Sequence, residues 1–197
     1  MGVATEEDVM TDPPYDPLAD LLVGSGERPE GWSEVNLRAV GPLLRALLVT
    51  DGTVTKLLKA VSMEPIEVKI TSQSDVTLDQ PHLELQAPAG ARVIIREVAL
   101  VGSRTGRHFA DAASVLVVER LPEAVKTRLA DHPQGLGRIL LEAGLETRRE
   151  VLWFGREATR AGREGPSRIC RTYRIVSGGL PLMLITESFP RDLELVD

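Results

Sequence analysis

Residues 169–189 read Ile-Cys-Arg-Thr-Tyr-Arg-Ile-Val-Ser-Gly-Gly-Leu-Pro-Leu-Met-Leu-Ile-Thr-Glu-Ser-Phe. Two apolar-rich stretches, 169–176 and 182–189, flank Ser177-Gly178-Gly179, a pair of glycines suited to the positive φ angles of a tight hairpin turn. The same pattern recurs upstream. Residues 92–101 predict a strand that turns at Gly102-Ser103-Arg104-Thr105-Gly106 and returns from His108 to about Glu119. Shorter strands are predicted at 66–70 and 146–154, the first followed by a polar, proline-containing connection over 71–90. Strands joined by hairpins pair antiparallel, and this favours an antiparallel sheet over a doubly wound parallel one.

Helices fill the gaps between strands. Over 35–49, Leu37, Val40, Leu44, Leu47 and Leu48 recur at helical spacing, and Gly41-Pro42 divides the segment in two. Asp51-Gly52 makes a turn, and Thr53 is placed to cap a second helix through Val61 whose stripe is Val54, Leu57, Leu58 and Val61. After Pro122 a short helix is expected to end near His132, with another over 136–143. The expected fold class is therefore α+β, with an antiparallel β-sheet of about six strands and helices inserted between them.

The 197-residue chain is long enough to bury about 70 % of its surface in one domain. No apolar run approaches the roughly 20 residues of a membrane span, and the acidic amino terminus lacks signal-peptide order. One cysteine excludes an intrachain disulfide framework, so a cytoplasmic protein is expected, with no membrane partner. The net charge of −6 is unevenly spread: residues 1–31 carry −7 and the other 166 carry +1. With four prolines and Gly24-Ser25-Gly26, that stretch reads as a disordered acidic tail, touching the domain at most through Leu18, Leu21 and Leu22. Residues 32–197 then form the folded domain, expected to be a monomer.

Strand alternation singles out two charges. Arg92, Ile94, Arg96, Val98 and Leu100 share one face of their strand, which sets Arg96 within an apolar row. Met183, Ile185, Glu187 and Phe189 set Glu187 in equivalent company. A charge so placed must be paired, hydrogen-bonded or facing a cavity, because desolvating it alone costs several kcal/mol. Either Arg96 and Glu187 pair, or they mark opposite ends of a pocket for a small ligand bearing a carboxylate and a hydroxyl.

Other chemistries lack their signatures. His82, His108 and His132 are scattered and, with Cys170, show no metal-ligand spacing; no metal is expected. No GxSxG elbow, Walker loop or GxGxxG motif is present. Arg148, Arg149, Arg156, Arg160, Arg163, Arg168, Arg171 and Arg174, with Trp153, Phe154 and Tyr173, resemble a nucleic-acid surface. Glu146, Glu150, Glu157 and Glu164 cut that charge to +4, so no nucleic-acid partner is expected.

Five segments in order resemble the chorismate lyase family: Leu-Leu-Val-Thr-Asp-Gly-Thr-Val-Thr-Lys (47–56), Arg-Glu-Val-Ala-Leu (96–100), Phe-Ala-Asp-Ala-Ala-Ser-Val-Leu (109–116), Gly-Leu-Gly-Arg-Ile-Leu (135–140) and Ser-Gly-Gly-Leu-Pro-Leu-Met-Leu-Ile-Thr-Glu-Ser-Phe-Pro (177–190). The resemblance spans roughly 35–190. It implies helical flaps over a buried ligand site and cofactor-free conversion of chorismate to 4-hydroxybenzoate and pyruvate. It also implies that Arg96 binds the ring carboxylate, that Glu187 meets the ring hydroxyl, and that main-chain groups at Val54 and Leu136 complete the site. Ile94, Val98, Met183 and Ile185 would form apolar walls. Some members carry an arginine where this chain has Ala112-Ala113-Ser114, which leaves Lys56, Arg171 and Arg174 as candidates for a second anion contact. The alternative is a non-catalytic domain binding aromatic acids, akin to the effector domains of bacterial repressors; the short acidic tail argues against a preceding DNA-binding domain.

Overall fold

The computed structural model describes residues 31–131, 135–157, 168–191 and 193. The readings for the acidic tail, with Leu18, Leu21 and Leu22, and those for His132, Arg160 and Arg163 lie outside the described residues.

The carboxy-terminal hairpin forms as expected, β6 (Arg168–Ser177) pairing with β7 (Leu180–Pro190) across Gly178 and Gly179, whose φ angles are 57° and 83°. A side chain at either position would be strained. The other strands are β1 (Trp32–Ser33), β2 (Ile66–Thr77), β3 (Arg92–Gly102), β4 (His108–Val117) and β5 (Arg148–Glu157). Together the seven make one antiparallel sheet in the order β1-β5-β6-β7-β4-β3-β2.

Two strand readings need correction. The connection over 71–90 is strand as far as Thr77, because its backbone continues along β3 beyond a bulge between Ile70 and Ser72. Its side chains from Thr71 to Thr77 are exposed on both faces, so this polar edge has no alternation to read. The seventh strand, β1, has two residues, too few for periodicity to register.

The helices follow their sequence signals. The 35–49 segment breaks at Gly41, with a 3₁₀ turn at Leu37–Ala39 before it and α1 (Pro42–Val49) after it. Proline at the first helical position loses only an amide that had no acceptor. Then come α2 (Val54–Ser62), α3 (Glu123–Asp131) and α4 (Leu136–Glu142). Thr53 occupies the cap position of α2, although its side chain makes no capping hydrogen bond.

Two of the three apolar clusters among the described residues flank the site. Leu44, Leu47 and Leu48 of α1 and Leu58 of α2 join Leu100, Ile169 and Phe189 in one cluster. Val125 and Leu129 of α3 and Ile139 and Leu140 of α4 pack on Leu116, Ile175 and Met183 in the other. Between the clusters, the amino-terminal ends of α2 and α4 meet over the sheet. The Gly-Leu-Gly segment makes this approach possible: a Cβ on Gly137 would lie 2.8 Å from the Thr53 Cγ2. Among the described residues, no helix is long and apolar enough to cross a membrane.

Candidate active site

Directly paired residues of antiparallel strands present their side chains on the same face. One cross-strand row runs Arg96, Ser114, Ile185 and Tyr173 over β3, β4, β7 and β6. The next row runs Val98, Ala112, Glu187 and Arg171. The two charges singled out by alternation therefore share a face, and two interstrand steps across with one row along put their backbones about 12 Å apart.

That face forms the floor of a cavity of about 580 Å³, mouth included. Val98, Leu100, Ala112, Ser114, Ile175 and Ile185 line it from the sheet, with Thr53, Val54, Thr55 and Gly135, Leu136, Gly137 from the helix starts. Its ionisable side chains are Arg96, Arg149, Tyr173 and Glu187. All four residues named by the resemblance, Arg96, Glu187, Val54 and Leu136, thus border one space. Of the expected apolar walls, Val98 and Ile185 are there; Ile94 and Met183 are absorbed into the adjacent apolar cluster.

Arg96 is 1 % exposed, and burial pushes its pKa below the usual guanidinium range. Its neighbour Ser114 donates to the Arg96 carbonyl at 3.1 Å, holding the strand pair at this point. Glu187 takes its ion pair from Arg171, which donates from Nε to Oε2 at 2.7 Å, while the Tyr173 hydroxyl donates to Oε1 at 3.1 Å. Arg171 also donates to the carbonyls of Leu48 and Thr50 and stacks over the Tyr173 ring at 4.9 Å. Burial and the Glu187 charge push the Tyr173 hydroxyl well above its ordinary pKa, so it is a neutral donor.

The candidates for a second anion contact fall elsewhere. Arg171 is committed to Glu187 and two carbonyls. Arg174 donates to Glu150 and reaches Glu84, away from the cavity lining. Lys56 lines an outer groove with Lys59, Lys69 and Arg138, which meets the inner cavity at Thr53, Thr55, Val68 and Gly135. Among the described arginines of the arginine-rich segment only Arg171 is buried, and Tyr173, Arg149 and Arg171 are site residues that its composition disguised as a surface. The usable signal was the alternation that places Arg171 and Tyr173 on one face of β6.

The expected structural roles of the remaining polar residues also have places. The His108 ring lies 2.8 Å from the Asp111 carboxylate, His82 helps close the turn to Ala87, and Cys170 is buried in β6. The whole arrangement is a buried cation facing a carboxylate held by a phenol and a guanidinium, with apolar walls and backbone amides between them. It suits a flat anionic ring carrying a hydroxyl.

The family model described as "Chorismate pyruvate-lyase Rv2949c-like" matches residues 48–196. The chain is 32 % identical over 168 residues to a chorismate pyruvate-lyase of Mycobacterium leprae, covering 82 % of this chain and 80 % of that one. It is 30 % identical over 171 residues to the chorismate pyruvate-lyase of Mycobacterium tuberculosis H37Rv, covering 82 % and 86 %. Among solved structures, PhnF of Mycobacterium smegmatis aligns with a TM-score of 0.56 at 17 % identity, over 73 % of this chain and 66 % of that one. Its separate effector domain gives 0.55 at 17 % identity over 72 % and 90 %. These structures share the fold.

Proposed function

The chain belongs to the Rv2949c-like chorismate pyruvate-lyase family, and from that premise we propose that it converts chorismate to 4-hydroxybenzoate and pyruvate. The observation that carries the reading is the single cavity bordered by Arg96, Glu187 and the first residues of α2 and α4.

Chorismate is one elimination away from an aromatic ring. A proton leaves the hydroxyl-bearing ring carbon, its electron pair enters the ring, and the carbon–oxygen bond to the enolpyruvyl group breaks. The departing enolate takes a proton at its methylene carbon and becomes pyruvate. Aromatisation supplies the driving force, so the protein's main task is orientation. Arg96 holds the ring carboxylate, helped by the amides of Val54 and Leu136, which as first helical residues have no intrahelical acceptor. Glu187 receives the ring hydroxyl. Each of its oxygens already accepts one hydrogen bond and keeps a lone pair for another. Protonating it would leave the buried Arg171 without a counter-charge, which favours positioning over proton abstraction for this carboxylate.

The test is incubation of purified protein with chorismate and chromatographic detection of both products. The second reading, a binding domain without chemistry, has the PhnF fold on its side. Tight 4-hydroxybenzoate binding with no turnover would establish it in place of the lyase.

A further inference from the structure

Chorismate carries two carboxylates, and Arg96 accounts for one. We infer that Arg149 holds the other, on the enolpyruvyl side chain; this rests on the lyase reading above. Register places Arg149 on the same face as Arg96, in the cross-strand row Ile94, Leu116, Met183, Ile175, Arg149. Among the described residues, these two are the cations that line the cavity. Arg149 Nη1 donates to the Asp51 carbonyl at 2.6 Å, which ties the arm to the turn between α1 and α2. Its Nε is shielded from solvent and makes no hydrogen bond to the described residues, a donor that a ligand oxygen would satisfy.

The end of the cavity is also right. Arg149 pairs with Ile175, two residues from Tyr173 on the same face of β6, and the Tyr173 hydroxyl donates to Glu187. In chorismate the enolpyruvyl ether sits on the ring carbon next to the hydroxyl-bearing one. A ring held by its carboxylate at Arg96 and its hydroxyl at Glu187 therefore carries the side chain beside Glu187, where Arg149 reaches. As the carbon–oxygen bond breaks, negative charge grows on the departing enolate, and a fixed guanidinium there stabilises it. The product 4-hydroxybenzoate has lost that contact.

The discriminating probes are 4-hydroxybenzoate, a monoanion, and 3-(carboxymethoxy)-4-hydroxybenzoate, an unreactive dianion, measured by calorimetry beside kcat/KM for chorismate. Arg149→Gln should leave the 4-hydroxybenzoate Kd unchanged and weaken the dianion on the order of 10- to 100-fold, with a matching fall in kcat/KM. Arg149→Lys, which keeps the charge without the fork, should recover part of the loss and decides the matter if the Gln variant does not fold. Equal losses for both ligands, or no change for the dianion, would overturn the assignment. A wild-type protein that binds both acids without turnover would overturn the lyase reading alone, and the two-ligand comparison would still decide Arg149.

Discussion

The Arg171 guanidinium lies 2.7 Å from the Glu187 carboxylate, and both side chains are buried, at 1 % and 8 % exposure. This pair makes Glu187 a fixed acceptor in the cavity wall. Replacing it therefore has two consequences that differ in size. Glu187→Gln keeps a hydrogen-bonding side chain but leaves Arg171 without a counter-charge, so the protein should lose about 3 kcal/mol of stability, the lower end for breaking a buried pair. As a positioning group, Glu187 predicts a turnover loss below the roughly 10²–10⁴-fold that removal of a general base brings, with 4-hydroxybenzoate still bound. Rate, product Kd and urea midpoint measured on the same variant separate the two effects; a fall of about 10²-fold or more would make it the base.

Arg96→Met tests the other charge of the cavity. The expected outcome is a 4-hydroxybenzoate affinity at least about 30-fold weaker, the loss typical of one partner of a buried charged hydrogen bond. Arg92→Ala, at the exposed start of the same strand and paired with Glu119, should leave the affinity unchanged. An unaltered affinity in Arg96→Met would remove the residue from the site.

The approach of the two helix starts gives a steric prediction. Gly137→Ala sets a methyl against the Thr53 side chain, with Cγ2 at 2.8 Å and Oγ1 at 3.1 Å, and should push α4 away from α2 at the roof of the cavity. Ligand affinity should fall. Thr53→Ala removes both obstructing atoms and leaves the Thr53 Cβ at an ordinary 3.5 Å, so the double variant should regain most of the loss. Additive losses in this cycle would show that the two residues do not meet.

Acid stability should depend on Glu64 and Glu150. The Glu64 carboxylate accepts from the Thr105 hydroxyl at 2.7 Å and from the amides of Arg104 and Thr105, which holds its pKa below the ordinary value of 4.5. Burial pulls Glu150 upward, but Arg174 and Arg148 together bring it below 4.5. A depressed carboxylate contributes stability that is complete above the unfolded-state value and disappears as pH falls through the folded one. The urea midpoint should therefore be flat from pH 7 to about 5.5 and fall below about 4.5, and Glu64→Gln should flatten that fall. An equal slope in the variant would remove Glu64 from the account.

Much of the fold was legible because it is local. Glycine pairs set the Gly178–Gly179 turn, Gly41-Pro42 set the start of α1, and period-two alternation was enough to place Arg96 and Glu187 within apolar rows. The polar end of β2 and the two-residue β1 were invisible, since backbone pairing with a neighbour leaves no trace in side-chain pattern. The site divides the same way. Alternation assigns a face within one strand, but says nothing about which strands lie side by side, and β5 and β6 read as a basic stretch with aromatics. Arg171 meets Glu187 across the local β6–β7 hairpin, whereas only the order β5-β6-β7-β4-β3 brings Arg149 into the wall that Arg96 shares, because the neighbours of strands distant in sequence are chosen by the topology of the whole sheet.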